Sequence, residues 1–169
     1  SMLAFPDFRS FERSFQLMTQ VSGRAGRKKK RGKVLIQTYD PNHWVIQKVM
    51  YNDYIGLYNQ ELLERRNFKY PPFYRLISLT FKHRDKSVVD AAAHEFTQHL
   101  IQKLGKERVL GPEQPAISRI RNLYLKNTLL KFEREVSIKS IKNILQEELN
   151  SLSNSKSFKS VRVVVDVDP

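Results

Sequence analysis

Between residues 74 and 133 the spacing of the apolar residues changes in a fixed order, and this order constrains the fold most strongly. The segment YRLISLTFKH alternates apolar and polar residues as a strand does, and KSVVDAAAHEFTQHLIQKL carries one apolar stripe at helical spacing before Gly105. RVLGPEQPAISRI then reads as an interrupted strand whose prolines favour a bulge or a sheet edge. A further strand, LYLKNTLLKFE, follows a turn around Asn122.

The end of the chain repeats the same change of spacing. SIKSIKNILQEELNSL has the spacing of an amphipathic helix, and SVRVVVDVD reads as a closing strand whose alternate valines, 161 to 167, face the core. The order strand–helix–strand–strand–helix–strand is the split βαβ, ferredoxin-like pattern. The sequence therefore predicts an α+β sandwich from about residue 71, with two helices on one sheet face and the other face open to a partner.

The first 70 residues have a different organisation. We predict, in order, a helix capped by Asp7 and ending near Ser22, a strand over 33–39, and two helices over roughly 42–50 and 53–66. YPPF at 70–73 is expected to be a stiff extended hinge, because proline fixes its own φ and restricts the preceding residue. We therefore divide the chain into 1–40, 41–70 and 71–169.

The predicted strand at 33–39 has no obvious partner strand in this sequence. An unpaired strand edge must be covered, either by the chain's own helices or by another copy of the chain. We therefore expect self-association, and sedimentation at rising concentration that showed only monomer would contradict this expectation.

Charge narrows the range of partners. The formal net charge is +13, which attracts polyanions, nucleic acid above all, although ribosomal contacts, anionic membranes and acidic protein tails are alternatives. There is no cysteine, so disulfides, thiolate metal sites and cysteine nucleophiles are excluded, in keeping with a cytoplasmic protein. No stretch approaches the roughly 18 apolar residues of a membrane span.

Motifs for catalysis are mostly absent. GRKKKRGKV has the wrong glycine spacing for a phosphate loop, and Val34 replaces the Ser or Thr that would hold magnesium. HEFTQH places His94 and His99 about 140° apart around a helix, so they do not readily share one zinc ion. No serine-nucleophile elbow occurs. We expect no metal site in this chain.

The stretch QVSGRAGR is the remaining candidate. A helix end carrying Gln20, Arg24 and Arg27 can hold two guanidiniums beside a nucleotide, where their charge stabilises a transferring phosphoryl group. A solvated basic turn explains the same residues.

Several motifs together resemble one family. QVSGRAGR resembles the last motif of superfamily-two helicases. FPDFRSFERSFQLMTQVSGRAGR, GKVLIQTYDPNH, ELLERRNFKYPPFYRL, VLGPEQPAISRIRNLYLKNTLLK and VVVDVDP are similar, in this order, to the C-terminal part of the PriA-type replication-restart DNA helicases (primosomal protein N-prime). The resemblance covers essentially the whole chain and implies a C-terminal domain folded like a small ribosomal protein.

The resemblance implies that Gln20, Arg24 and Arg27 face ATP and magnesium across a cleft between two motor lobes, with the arginines acting catalytically. This sequence lacks the phosphate loop, the Asp-Glu-x-His box and the cysteine-rich zinc segment of that family. We therefore expect ATP, magnesium and zinc only in a full-length protein, and no ATP hydrolysis here. The implied partners are DNA, the acidic tail of single-stranded DNA-binding protein and other primosome proteins.

Two basic sets are candidates for DNA contact through sequence-blind attraction of phosphates. They are the block Lys28, Lys29, Lys30, Arg31 and Lys33, and the later set Arg119, Arg121, Tyr124 and Lys126. Tyr124 either stacks on an unpaired base or packs in the sheet. For the acidic tail, the candidates are Arg134 and Lys139 beside Ile138.

The sequence leaves three functions open. The first is a non-catalytic part of a 3′-to-5′ restart helicase that binds forked or single-stranded DNA. The second is a protein-interaction module that captures the acidic tail and has little DNA affinity of its own. The third, a ribosome-associated RNA binder, rests on fold and charge and leaves the first 40 residues unexplained.

Overall fold

The structure, a computed structural model, describes residues 3, 7–25 and 32–169. It divides into two compact units, Ser1–Phe68 and Lys69–Pro169. The boundary that we placed at residue 71 lies just inside the second unit, so the first unit holds segment 1–40 and all of segment 41–70 except residues 69 and 70.

The first unit is helical. Its helices are α1 (Ser10–Ser22), α2 (Trp44–Met50) and α3 (Tyr54–Asn67). They pack around a small cluster of Phe15, Val45 and Leu57. The predicted helices are confirmed to within a few residues, but Asp7 is not the cap residue of α1. Its carboxylate instead accepts a hydrogen bond from the backbone N–H of Arg9, which precedes the helix.

The prediction of a strand over 33–39 is wrong. Residues 32–38 have no regular secondary structure, and Thr38 and Asp40 form a local turn in which the Asp40 N–H donates to Thr38 Oγ1 at 3.0 Å. A strand is stable only beside a neighbour, and no strand of the described residues pairs with this segment. The unpaired strand edge that this segment was expected to offer is therefore absent.

The second unit is a sheet covered by two helices. Its elements are β1 (Tyr74–His83), α4 (Lys86–Leu104), β2 (Val109–Glu113), β3 (Arg119–Ile120), β4 (Leu123–Glu133), α5 (Ile138–Asn154) and β5 (Arg162–Val167). The strand order is β2-β4-β1-β5, with β3 paired to β4, and all neighbours are antiparallel. β4 lies between β1 and β2, and β1 lies between β4 and β5, which is the split βαβ arrangement. The predicted α+β fold is confirmed.

One sheet face and the two helices enclose the core. The predicted stripe of α4 is confirmed, since its six apolar members are all buried: Val89, Ala92, Ala93, Phe96, Leu100 and Leu104. They meet Leu79 of β1 and Leu130 of β4. One polar contact is embedded in this core, where Thr97 Oγ1 of α4 lies 2.7 Å from Thr128 Oγ1 of β4.

The valines of β5 behave differently at its two ends. Val161, just before the strand, and Val163 pack against the core as predicted. Val165 and Val167 are 41% and 56% exposed, so their predicted burial is wrong. The strand continues beyond the apolar cluster formed with α4 and α5, and it lies at the edge of the sheet.

Two proline-containing segments have local explanations. β2 lies at the opposite sheet edge and its register against β4 shifts between Leu110 and Glu113, which confirms the predicted bulge or edge position. Gly111 sits in this bulge with a φ of +109°, which other residues rarely adopt. The YPPF segment is not extended as predicted. It forms a turn in which the Tyr70 carbonyl accepts hydrogen bonds from Phe73 and Tyr74.

Candidate nucleic-acid interface

The β3–β4 hairpin projects cations from one end of the sheet. Ile120 pairs with Leu123, so the turn consists of Arg121 and Asn122. Arg121 has a φ of +55° and is exposed. Arg119 lies directly opposite Tyr124, and its guanidinium carbon is 4.9 Å from the centre of the tyrosine ring.

Tyr124 is held between this guanidinium and the core. It is partly buried and packs against the apolar cluster of the second unit. A nucleic-acid base can stack on the tyrosine only if Arg119 moves aside. The planar guanidinium of Arg119 is itself exposed, and such planes also stack on bases.

Lys126 is engaged within the unit. Its Nζ lies 3.3 Å from Asp90 Oδ1 in α4, and Lys86 forms a second ion pair with the same carboxylate. Burial by itself would raise the pKa of Asp90, but the two lysines outweigh it and hold the pKa below its ordinary value of 3.8. Asp90 therefore stays charged at neutral pH and offsets part of the positive charge of Lys126.

The end of β1 brings further cations to the hairpin. His83 pairs with Tyr124 and Lys82 with Leu125, so Arg84 follows at the same end of the sheet. In the part of the chain that the structure describes, no carboxylate forms an ion pair with Lys82, Arg84, Arg119 or Arg121. The sequence alone did not reveal Lys82 and Arg84 as candidates, because only the register of β1 against β4 places them at the same end of the sheet as Arg119.

This group of four cations, called here the hairpin-end cations, suits a polyanion. Uncompensated positive charge attracts phosphates without reading sequence and makes the affinity depend on salt. Nothing in the group resembles a catalytic arrangement, since it contains no nucleophile or general base beside a second functional group.

Comparison with known proteins places the chain in a family. The family model described as the primosomal protein N C-terminal domain matches residues 66–169, more than half of the chain. The chain belongs to this family.

Individual relatives match over the full chain. The protein named Replication restart protein PriA from Bacillus subtilis (strain 168) is 37% identical over 168 residues, which are 99% of this chain and 20% of the relative. The proteins of the same name from Synechocystis and Thermotoga maritima are 40% and 32% identical, covering 100% of this chain and 20% and 21% of their own lengths. The chain thus spans about one fifth of the length of these relatives.

The motif that resembles helicases lies outside the family-model match, at the end of α1. Gln20 is in the last turn of this helix and Arg24 follows it, and both are exposed. No ion pair neutralises Arg24 among the described residues, so its guanidinium can face a phosphate. Arg27 lies outside the described residues, as do Lys28, Lys29, Lys30 and Arg31 of the basic block. Lys33 is described and exposed.

The residues predicted for the acidic tail are at the other end of β4. Arg134 follows this strand, Lys139 is in the first turn of α5, and both are exposed. The ten residue steps of β4 separate this end from the hairpin by about 33 Å. The two sets of cations can therefore be tested independently.

The two histidines of HEFTQH have different environments. His94 is exposed, while His99 Nδ1 lies 3.0 Å from Glu148 Oε2 on α5. Among the described residues, no three His, Cys, Asp or Glu side chains are grouped as metal ligands. None of the described helices has the length and apolar character needed to cross a bilayer.

Proposed function

We propose that this chain is the C-terminal part of an ATP-dependent 3′-to-5′ DNA helicase that restarts stalled replication forks in the cytoplasm. In this proposal the part itself binds forked or single-stranded DNA and primosome proteins without catalysis. Family membership and the printed name of the relatives support the restart role. The hairpin-end cations are the single observation that carries the DNA-binding role.

The DNA contact is proposed to have two parts. Lys82, Arg84, Arg119 and Arg121 attract the phosphate backbone, since no carboxylate of the described chain pairs with them. The Arg119 guanidinium adds stacking on an unpaired base. Lys126 contributes less because of its ion pair with Asp90. The basic block, Lys28 to Lys33, adds sequence-blind attraction.

The proposed role of the motif at the end of α1 depends on residues beyond this chain. Gln20, Arg24 and Arg27 would hold the phosphates of ATP with magnesium only when a second lobe supplies a phosphate loop, which this sequence lacks. A zinc site would likewise belong to the remainder of a full-length protein, since this chain has no cysteine.

The experiment is fluorescence anisotropy of labelled single-stranded, duplex and forked DNA across salt concentrations. Replacing Arg119 and Arg121 together by alanine should weaken binding. It should also reduce the slope of log affinity against log salt by about 1.4 on single-stranded DNA and about 1.8 on duplex DNA, the values for two lost phosphate contacts. Replacing Arg134 and Lys139 by alanine removes the same charge at the other end of β4 and is the matched control. A chain lacking residues 28–33 measures the share of the basic block.

Equal losses of affinity in the two double variants would mean that only net charge matters, which contradicts a hairpin site. No binding to any DNA at moderate salt would overturn the DNA-binding role. Stronger binding to RNA than to DNA would instead support a ribosome-associated RNA binder.

The second candidate is a module that captures the acidic tail of single-stranded DNA-binding protein. The exposed Arg134 and Lys139, which flank the start of α5 beside the partly buried Ile138, favour it. A labelled acidic peptide should then bind the chain and lose affinity in the Arg134/Lys139 variant, with the Arg119/Arg121 variant as the control. Peptide binding without DNA binding would make this candidate the better account.

A further inference from the structure

Strand β5 has an open edge that no other described element of the second unit covers. Only β1 pairs with it, and β5 ends the strand order of the sheet. Val164 is 45% exposed, and Arg162 and Asp166 on the same face of the strand are exposed. The strand contains no proline and no bulge, which are two of the devices that protect an edge from pairing.

The backbone direction shows which groups the edge offers. The Asp168 N–H donates to the Leu76 carbonyl of β1 at 3.0 Å. Backbone groups alternate in direction along a strand, so the even-numbered residues of β5 point their N–H and C=O groups toward β1. The N–H and C=O groups of Val163 and Val165 therefore point outward and are available to another strand.

The charged residues of β5 are complementary to those of β5 in a second, antiparallel copy. An antiparallel pairing of β5 with a second copy, centred on Val164, places Val163 opposite Val165 of that copy, so these two exchange hydrogen bonds. The same register places Arg162 opposite Asp166 of the second copy, and the two-fold axis repeats both pairs. Arg162 and Asp166 then lie in the closer, non-hydrogen-bonded pairs, where opposite charges attract most strongly.

Pairing with a second copy would also offset a repulsion between two cations inside the second unit. Arg162 lies directly opposite Lys82 of β1, and like charges in this position repel. No carboxylate in the described ranges forms an ion pair with either residue. Asp166 of a second copy would supply the missing negative charge.

We propose that two copies of this chain associate through their β5 edges, antiparallel and centred on Val164, to form one continuous sheet. The contact is small and makes a weak, concentration-dependent dimer. It does not depend on DNA binding or on the helicase assignment.

The test uses sedimentation of the full 169-residue chain and two single charge reversals. Arg162→Asp gives the edge two negative positions, and Asp166→Arg gives it two positive ones, so each variant repels its own copy. Each should raise the dimer dissociation constant at least about tenfold, since a reversal alters both symmetric pairs. An equimolar mixture should associate again, because every facing pair is then of opposite charge.

A backbone variant tests the hydrogen bonds separately. Val165→Pro removes an outward N–H while leaving the bonds from β5 to β1 intact, and it should be monomeric with an unchanged circular dichroism spectrum. The proposal is overturned if the wild-type chain is monomeric at all concentrations, or if the mixture of charge variants associates no better than each variant alone. A charge variant that dimerises like the wild type also overturns it, and this outcome does not depend on the proline variant folding.

Discussion

The buried hydroxyl pair between α4 and β4 gives a sharp test of how the second unit is held together. Thr97 and Thr128 are both fully buried, and their Oγ1 atoms are 2.7 Å apart. Valine has nearly the same shape as threonine but no hydroxyl. Replacing one threonine by valine therefore leaves the other hydroxyl buried without its partner, whereas replacing both removes the polar pair entirely.

The expected magnitudes follow from this difference. A buried hydroxyl that loses its partner costs about 1–3 kcal/mol of the free energy of unfolding. The cost of Thr97→Val should lie near the upper end of this range. The Thr128 hydroxyl that loses its partner belongs to a central strand whose neighbours on both sides are strands. Thr128→Val should cost less, since Thr97 can turn its hydroxyl to the carbonyl of Ala93, four residues earlier in α4. The double variant should be close to the wild type.

Urea unfolding of all four chains, followed by far-ultraviolet circular dichroism, completes the double-mutant cycle. Trp44 is the single tryptophan and lies in the first unit, so its fluorescence reports unfolding there separately. For a unit of this size each kcal/mol corresponds to about 4–8 °C in melting temperature. Additive losses in the double variant would refute the reasoning, because they would mean that the two hydroxyls do not satisfy each other.

Two further predictions concern stability. Burial would raise the pKa of Glu148, but hydrogen bonds from Lys103 and His99 hold it below 4.5. As the pH is lowered, Glu148 therefore binds a proton at a higher pH in the unfolded chain than in the folded chain, and the free energy of unfolding should fall as the pH drops below about 4.5. Glu148→Gln should make the free energy of unfolding, measured by urea titrations, depend less on pH in this range. Gly111→Ala should cost roughly 1–3 kcal/mol, because φ is +109° and a Cβ would lie 2.8 Å from the Asn127 carbonyl oxygen; a melting temperature equal to that of the wild type would contradict this.

Long periodic segments were predictable because their side chains alone select the element. The strands at 74–83 and 123–133 and the helix at 86–104 coincide with their sequence-based bounds. Each has an apolar alternation or stripe, continuous over most of its length, that only one secondary structure can bury on one side. The order of these elements was sufficient to predict the split βαβ arrangement, since few topologies accommodate it.

Segments whose structure depends on a neighbour were not predictable in the same way. Residues 33–39 alternate like a strand, but a strand without a partner leaves its backbone hydrogen bonds unmade. Val165 and Val167 continue the pattern of Val163, yet the core ends before them. The alternation of apolar residues shows which residues share a face of the strand, but it does not show whether another element covers that face.

Some features of the candidate binding surfaces follow from the sequence, and others depend on the tertiary structure. The sequence by itself determined the excess of positive charge, the absence of thiol chemistry and the order of elements, because these follow from residue identity and spacing. Only the tertiary structure shows that Lys82 and Arg84 lie at the same end of the sheet as Arg119. It alone also shows that Lys126 is paired with Asp90 and that β5 has an open edge. These features depend on strand register, which brings together residues that lie far apart in the chain.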